Sequence, residues 1–293
     1  SLLFYRQQLQ WLGGMGISVL AMALLPMLGI GGMQLYRAES PGPVKDNKLV
    51  PRLAETAKAL WYIYLTLTIV CALAYWIVGM NLFDAISHSF TTVAIGGFST
   101  HDQSMGYFDN SAGEIVAIIF MFIAGINFAL HFTAWQKRNI SHYVKDPEFK
   151  FYALILTTVS VVTVVVLYFS EIYTSASDAL IKGVFQVVSF ATTTGFATAD
   201  FNSWPLFLPY MLLYAAIIGA CAGSTGGGMK VIRILLIFKQ GFREVQRLIH
   251  PKAVIPIKLG KNPVSDRIIE SVWGFFAVYV MAYMAMLLAL LAT

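Results

Sequence analysis

The chain carries very little charge for its length. Asp, Glu, Lys and Arg make up 12% of its 293 residues, whereas soluble domains carry about 25%. Hydrophobic residues make up 58%, and the mean hydropathy is +0.69. So little polar surface could not cover so much apolar surface in water. The composition therefore excludes an ordinary soluble domain and predicts a protein embedded in a lipid bilayer.

Cysteine and the motifs of enzymes are also scarce. The two cysteines, Cys71 and Cys221, lie within apolar stretches, which predicts buried thiols and no disulfide framework. No HExxH motif, paired Ser and His or pair of Asp lies within an apolar segment. We therefore expect no enzyme and no resident cofactor. The net charge of +5 does not predict a nucleic-acid partner, because the basic residues fall in short blocks between apolar runs, a topology signal.

Long apolar segments dominate what is present. A membrane-spanning helix needs about 20 mostly apolar residues, and the predicted spans are residues 11–36, 59–78, 115–135, 151–169, 206–238 and 268–292. Two further apolar segments, residues 82–94 and 179–191, are too short to cross and are each followed by Gly- and Thr-rich residues. Segments of this length can be re-entrant. Because the chain starts without Met and ends within an apolar run, we expect a piece of a longer protein.

The connections between these segments divide by charge. Most of the 20 Lys and Arg residues fall within residues 37–58, 137–150 and 230–267, and the exceptions are Arg6 and Lys182. We call these connections the basic side, and the alternate connections, which carry mostly Asp and Glu, the acidic side. By the positive-inside rule the basic side is cytoplasmic, so both short segments are predicted to enter the membrane from outside.

An internal repeat relates the two short segments. GFSTHD at residues 97–102 aligns with GFATAD at residues 195–200, an offset of 98 residues. Each unit consists of a span, a half-helix, a Gly- and Thr-rich stretch, an acidic-side connection and a second span. Non-helical backbone at membrane depth survives only inside protein or along a water-filled path. Two related stretches therefore favour a functional path over two ordinary connections.

The two stretches have the composition of a cation filter made of backbone. Inward carbonyls can replace the water shell of a cation, glycine permits the dihedrals that align them, and the C-terminal end of a half-helix favours a cation. Neither stretch holds Asp, Glu or Lys, so backbone oxygens would bind an alkali ion in preference to a multivalent one. The candidate filter residues are Ala94, Ile95, Gly96, Gly97, Thr192, Thr193, Thr194 and Gly195.

The predicted span at residues 206–238 is too long and is interrupted by GACAGSTGGG, residues 219–228. Five glycines in ten residues cannot hold a regular helix, since each costs about 1 kcal/mol relative to Ala. Lys230 follows, but the Walker spacing of a phosphate-binding loop is absent. A close helix-packing surface and a mobile plug remain as interpretations. The candidate gate residues are Gly219, Gly223, Ser224, Thr225, Gly226, Gly227 and Gly228.

These motifs resemble those of the SKT superfamily of potassium transporters, the TrkH/KtrB family, whose pore is a four-fold repeat of the potassium-channel hairpin. The resemblance rests on VAIGGFSTHD (93–102), TTTGFATAD (192–200), QWLGGMG (10–16) and GIGGMQ (29–34) and extends over almost the whole chain. It implies an all-α polytopic membrane protein with span–half-helix/filter loop–span units around a pseudo-four-fold pore. It also favours the gate interpretation of residues 219–228.

The resemblance implies a division of the chain into four parts. Residues 1–57 would hold the end of the first unit and a cytoplasmic loop, and residues 58–149 the second unit. Residues 150–267 would hold the third unit with its interrupted last helix, and residues 268–293 the start of the fourth. The first and fourth filter segments would then lie outside the chain. Because two segments cannot close a four-fold pore, we expect that the chain alone does not conduct.

The resemblance also implies a function and partners. It implies the pore-forming subunit of a potassium uptake channel in the bacterial inner membrane, with potassium as substrate. It implies a homodimer and a cytosolic nucleotide-binding RCK regulatory subunit (TrkA-like). The basic residues 242–267 also suit binding of anionic membrane lipid. The alternative is an ion-coupled secondary transporter with discontinuous helices, which usually has inverted repeats and an intramembrane carboxylate; neither is predicted here.

Overall fold

The computed structural model describes residues 2–16, 53–260 and 262–292, and these are mostly helical. Its α-helices are α1 (Leu2–Trp11), α2 (Leu53–Ile77), α3 (Leu82–Val93), α4 (Ser111–Ala124), α5 (Phe128–Gln136), α6 (Ser141–Lys145), α7 (Pro147–Phe169), α8 (Ala176–Ala191), α9 (Phe207–Ile218), α10 (Val231–Ile249) and α11 (Asp266–Leu291). A π-turn covers Leu12–Gly16, and short 3-10 turns cover Ser104–Phe108 and Phe201–Ser203. An antiparallel ribbon pairs β1 (Lys258–Leu259) with β2 (Asn262–Pro263).

Within the described residues, three helices are long and apolar enough to cross a membrane: Ala57–Ile77 of α2, and the whole of α7 and of α11. The helices α4 and α5 pass the same test together, as one span bent by 89°. The predicted spans at residues 59–78, 151–169 and 268–292 agree with α2, α7 and α11 to within a few residues. Most of the first predicted span, residues 11–36, lies outside the described residues.

The predicted span at residues 115–135 is wrong as a single helix. The first helix, α4, ends at Ala124, and the second, α5, begins at Phe128. Between them, Asn127 caps α5, because its Oδ1 accepts the N–H of Ala129 at 2.9 Å. The apolar residues continue through both helices, so hydropathy does not reveal the break; the short run Gly125-Ile126-Asn127 is its only local signal.

Both short apolar segments form half-helices that begin at polar caps on the acidic side. The side chain of Asn81 accepts the N–H of Asp84 at the start of α3, and that of Ser175 accepts the N–H of Ser177 at the start of α8. Helix α3 packs against α1, α2 and α4, while α8 packs against α4, α7 and α9. Neighbouring helices therefore pack around both half-helices, and the main apolar core lies between them.

The glycine-rich residues 219–228 lie in an irregular connection, because α9 ends at Ile218 and α10 begins at Val231. Helix α10 continues to Ile249, so the first residues of the basic stretch 242–267 are helical, and the ribbon occupies part of the remainder. The second half of α10 exposes an apolar stripe on one face: Phe238, Phe242, Val245 and Ile249.

Candidate functional site

The first candidate filter stretch begins as a helix C-cap. Ala94 is the C-cap residue of α3. The N–H of Ile95 donates to the carbonyl of Thr92 at 3.1 Å, and the N–H of Gly96 donates to the carbonyl of Thr91 at 2.8 Å. This pair of bonds defines a Schellman motif, which satisfies carbonyls at a helix end.

The second stretch repeats the same bonds 98 residues later. Thr192 is the C-cap residue of α8. The N–H of Thr193 donates to the carbonyl of Phe190, and that of Thr194 to the carbonyl of Ser189, both at 2.8 Å. The repeat seen in the sequence is therefore also a structural repeat: the residues directly before GFSTHD and GFATAD make the same backbone hydrogen bonds.

Both stretches contain residues whose backbone has a positive φ angle, a conformation that is unfavourable for residues with a side chain. Ile95 and Thr193 have φ angles of 53° and 64°, in the left-handed region. For β-branched residues these angles are strained. Two residues later, Gly97 and Gly195 have φ angles of 70° and 87°, which glycine adopts freely. Such strain persists only where the surrounding structure enforces it, and it clusters at functional sites.

The two stretches lie against each other. A Cβ added to Gly97 would overlap the carbonyl oxygen of Thr194, and one added to Gly96 would overlap the side chain of Gln10 in α1. Among the described residues, a Cβ on Gly195 would meet no atom within 4 Å. The first stretch is therefore enclosed by the second stretch and by α1, and it has no room for side chains at its glycines.

The glycine-rich connection contacts the deep ends of both half-helices. Thr225 Oγ1 donates to the carbonyl of Val93, the last residue of α3, at 2.9 Å. The N–H of Gly227 donates to Thr193 Oγ1 at 2.6 Å. The connection thus lies on the basic side of the two candidate filter stretches, across the end of the path that they would line.

Close backbone packing within the connection requires its glycines. Gly219, Gly223 and Gly228 have φ angles of 75°, 70° and 76°. A Cβ on Gly219 would lie 2.8 Å from the Cα of Gly228, and one on Gly226 would lie 2.9 Å from the carbonyl oxygen of Thr192. A side chain at Gly219 would push apart the two ends of the connection, and one at Gly226 would push the connection away from the second stretch.

Polar groups within the connection hold its turns. The ammonium group of Lys230 donates to the carbonyl of Gly226, and Ser224 Oγ donates to the carbonyl of Cys221 at 2.6 Å. Lys230 therefore bonds the connection that precedes it, which agrees with the absence of the Walker spacing.

The break between α4 and α5 binds the same connection. The N–H of Cys221 donates to the carbonyl of Gly125 at 3.0 Å, and the N–H of Phe128 donates to the carbonyl of Gly223 at 2.9 Å. Helix ends leave such groups without intrahelical partners, and here two broken helices supply partners to each other. Sequence reasoning missed this pairing because it treated residues 115–135 as one continuous helix.

Glu148 is a second feature that sequence reasoning missed. This carboxylate is only 5% exposed, and its Oε1 accepts the buried N–H of Ala222 at 2.6 Å. Glu148 follows the cap residue Asp146 and Pro147 in the first turn of α7, where negative charge is stabilised by the helix dipole. A carboxylate on the basic side thus contacts the backbone of the glycine-rich connection.

A polar network supports the first stretch on the acidic side. Thr100 Oγ1 donates to Asp84 Oδ1 at 2.5 Å, and His101 Nε2 lies 3.2 Å from Asp84 Oδ2. Burial raises the pKa of the Asp84 carboxyl, but hydrogen bonds led by that from Thr100 bring this pKa below its ordinary value. His88 is buried, with its ring nitrogens 2.8 Å from the carbonyl of Asp84 and 2.9 Å from Ser99 Oγ. His88 therefore fills a structural role.

The corresponding position in the third unit carries the opposite charge. Lys182, 98 residues after Asp84, forms an ion pair of 2.5 Å with Glu114 of α4. No group of three His, Cys, Asp or Glu side chains that could hold a metal ion occurs within residues 2–16, 53–260 and 262–292.

These features define a class: a polytopic helical membrane protein in which two re-entrant half-helices end at one glycine-rich connection. The chain matches the family described as "TrkH: Cation transport protein" over residues 1–292, and it belongs to that family. The family resemblance and the helical membrane fold predicted from the sequence are thus confirmed.

Individual relatives support the assignment to this family. The chain is 59% identical over 293 residues to the Trk system potassium uptake protein TrkH of Halomonas elongata and 57% identical to that of Escherichia coli, and each comparison covers all of this chain and 61% of the relative. The crystal structure of the potassium transporter TrkH from Vibrio parahaemolyticus matches with a TM-score of 0.86 at 52% identity, over 99% of this chain and 59% of that chain. The chain thus spans about three fifths of the length of these relatives.

Proposed function

We propose that the chain forms most of the pore-forming subunit of a potassium uptake channel in the bacterial inner membrane. The proposal is supported by relatives named as potassium uptake proteins. The observation that carries it is geometric: two stretches with the same strained turns lie side by side, and one glycine-rich connection contacts the deep ends of both. An ordinary external connection would require neither the strain nor the contact.

In this proposal the carbonyls of residues 94–97 and 192–195 bind potassium. The amides of Ile95, Gly96, Thr193 and Thr194 donate back into their half-helices. Those amides therefore satisfy the helix ends and leave the carbonyls of the stretches as the groups that replace a cation's water shell. The half-helices add their negative dipole ends at the same place.

We further propose that residues 219–228 are the gate, in a closed position. In this proposal an ion passes beyond the two stretches only when the connection moves, since Thr225 bonds to the last residue of α3 and Gly227 bonds to Thr193 of the second stretch. Each bond of this kind contributes about 0.5–1.5 kcal/mol. A few such bonds are strong enough to hold a closed state and weak enough to be broken reversibly.

The second candidate function is an ion-coupled secondary transporter with discontinuous helices. The observation that favours it is Glu148, a buried carboxylate in contact with a broken helix, since transporters use such groups near midplane. Against it, α3 and α8 both begin on the acidic side and share one register, whereas this class usually has inverted repeats.

The proposed partners attach on the basic side or within the membrane. The family resemblance implies a homodimer and a cytosolic nucleotide-binding RCK subunit (TrkA-like), and relatives named as Trk system proteins support further Trk components as partners. The apolar stripe of α10 occupies one face of this helix, and basic residues such as Lys239 and Arg247 lie on its other faces. A helix with these two faces suits the surface of an anionic membrane, so lipid is the partner proposed for α10.

A growth experiment tests the proposal. The full-length parent of this chain is expressed in a bacterial strain without potassium uptake systems, and growth is followed at limiting potassium. We expect rescue by the parent at low potassium and no requirement for added sodium or acidic medium. Rescue that depends on a sodium or proton gradient would instead support the coupled transporter. A well-expressed parent that never rescues growth would contradict the potassium channel and favour a coupled transporter of another substrate.

A further inference from the structure

We infer that Glu148 is a positioning residue that anchors the glycine-rich connection, and, on the proposed function of that connection as a gate, that it holds the gate closed. The contact joins residues 74 positions apart, and its two partners are both buried. A buried backbone N–H without an acceptor is costly. Glu148 therefore stabilises only those positions of the connection that keep the amide of Ala222 within its reach.

Glu148 completes a set of three consecutive anchors. The N–H of Cys221 bonds to the end of α4, the N–H of Ala222 bonds to Glu148 of α7, and the carbonyl of Gly223 accepts from the start of α5. Each of these three bonds has one partner outside the connection. Two of these partners are backbone groups, and the third is the side chain of Glu148. It can be altered without changing the backbone of the helices that provide the other two anchors.

The anchors and the filter contacts occupy different parts of the connection. Residues 221–223 bond to α4, α5 and α7, while Thr225 bonds to the end of α3 and Gly227 bonds to Thr193 of the second candidate filter stretch. The anchored part therefore fixes where the second part can lie. Loss of the Glu148 bond is expected to loosen the connection at its base, and this would weaken the contact of Thr225 with the end of α3 and that of Gly227 with the second stretch.

Glu148 also links the connection to the basic side. It lies in the first turn of α7, directly after the segment that joins α5 to α7 through α6. That segment carries Lys137, Arg138 and Lys145. Displacement of the start of α7 would move the acceptor of the Ala222 amide, so this segment is a place where a cytosolic partner can act on the connection.

The chain provides a reporter for the anchor and an internal reference. Cys221 precedes Ala222 and is buried, and Cys71 is buried within a different element, α2. In the purified full-length parent, both thiols are labelled with a water-soluble maleimide and quantified by peptide mass spectrometry. The variants are Glu148→Ala, which removes the acceptor, and Glu148→Gln, which keeps an acceptor oxygen and removes the charge. Glu244→Ala, at an exposed residue of α10, is the control.

The inference predicts a specific pattern of labelling. Glu148→Ala is expected to speed labelling of Cys221 by about tenfold or more, the equivalent of losing a hydrogen bond to a charged group. Labelling of Cys71 should stay at the parent's rate, and Glu148→Gln should resemble the parent at both sites. Parental labelling of Cys221 in Glu148→Ala would overturn the inference. So would a parallel rise at Cys71, because the whole protein would then have loosened.

A flux measurement separates the anchor from the gate. In liposomes without any cytosolic subunit, Glu148→Ala is expected to raise basal potassium flux while Glu148→Gln leaves it at the parent's level. Faster labelling of Cys221 without a rise in flux would support the anchor and contradict the gate function of the connection. Loss of flux in Glu148→Gln with parental labelling would overturn the inference, because the charge would then serve transport directly.

Discussion

At the scale of single residues, Ile95 and Thr193 are the most informative positions. A helix that ends in a Schellman motif usually has glycine in the left-handed position, yet a β-branched residue occupies it in both units. The repeat in the sequence predicted that these two residues correspond. The sequence did not predict their left-handed conformation, because nothing local favours it and only the enclosing helices and the neighbouring stretch enforce it.

Thr193 tests the contact between the second stretch and the gate. Thr193→Val keeps the branched shape but removes the oxygen that accepts the N–H of Gly227. Loss of this bond should weaken the closed connection by about 0.5–1.5 kcal/mol and raise basal rubidium flux several-fold in liposomes that contain the full-length parent. Thr198→Val is the matched control, since Thr198 Oγ1 is buried and makes no hydrogen bond to the described residues. Equal flux in the two variants would contradict the contact's role.

At the scale of helices, the fold depends on two breaks that bond to each other. The break at residues 219–228 was predictable, because five glycines in ten residues oppose a helix. The break between α4 and α5 was not, because hydropathy averages over a window and Gly125 and Asn127 hardly lower it. Their backbone groups are satisfied by Cys221 and Gly223, which are distant in sequence. A single sequence does not contain that pairing.

The ion pair between α4 and α8 provides a test at this scale. Lys182→Met would leave the buried carboxylate of Glu114 without the partner that lies 2.5 Å away, and such a loss typically costs about 3–5 kcal/mol. We expect a lower midpoint of thermal unfolding for Lys182→Met in the full-length parent. The double variant Lys182→Met/Glu114→Leu should recover most of the loss, because both charges are then absent. A double variant no more stable than the single one would contradict this account.

At the scale of the whole molecule, charge and hydropathy predicted most of the architecture. The re-entrant segments at residues 82–94 and 179–191 correspond to α3 and α8. The candidate filter and gate residues, chosen from the repeat and from glycine content, stay predictions. Their contact across Thr225, Gly227 and Glu148 was not predicted from the sequence, because it depends on how three units pack.

The claim that residues 94–97 and 192–195 form a filter is tested most directly by ion selectivity. The measurement is the ratio of potassium to sodium flux in liposomes containing the full-length parent, Gly97→Ser or Gly79→Ser. Gly97→Ser would force a Cβ into the carbonyl of Thr194, whereas a Cβ on Gly79, also at positive φ, meets no described atom within 4 Å. We predict that Gly97→Ser lowers the ratio and Gly79→Ser preserves it. Full flux with the parent's ratio in Gly97→Ser would contradict the filter assignment.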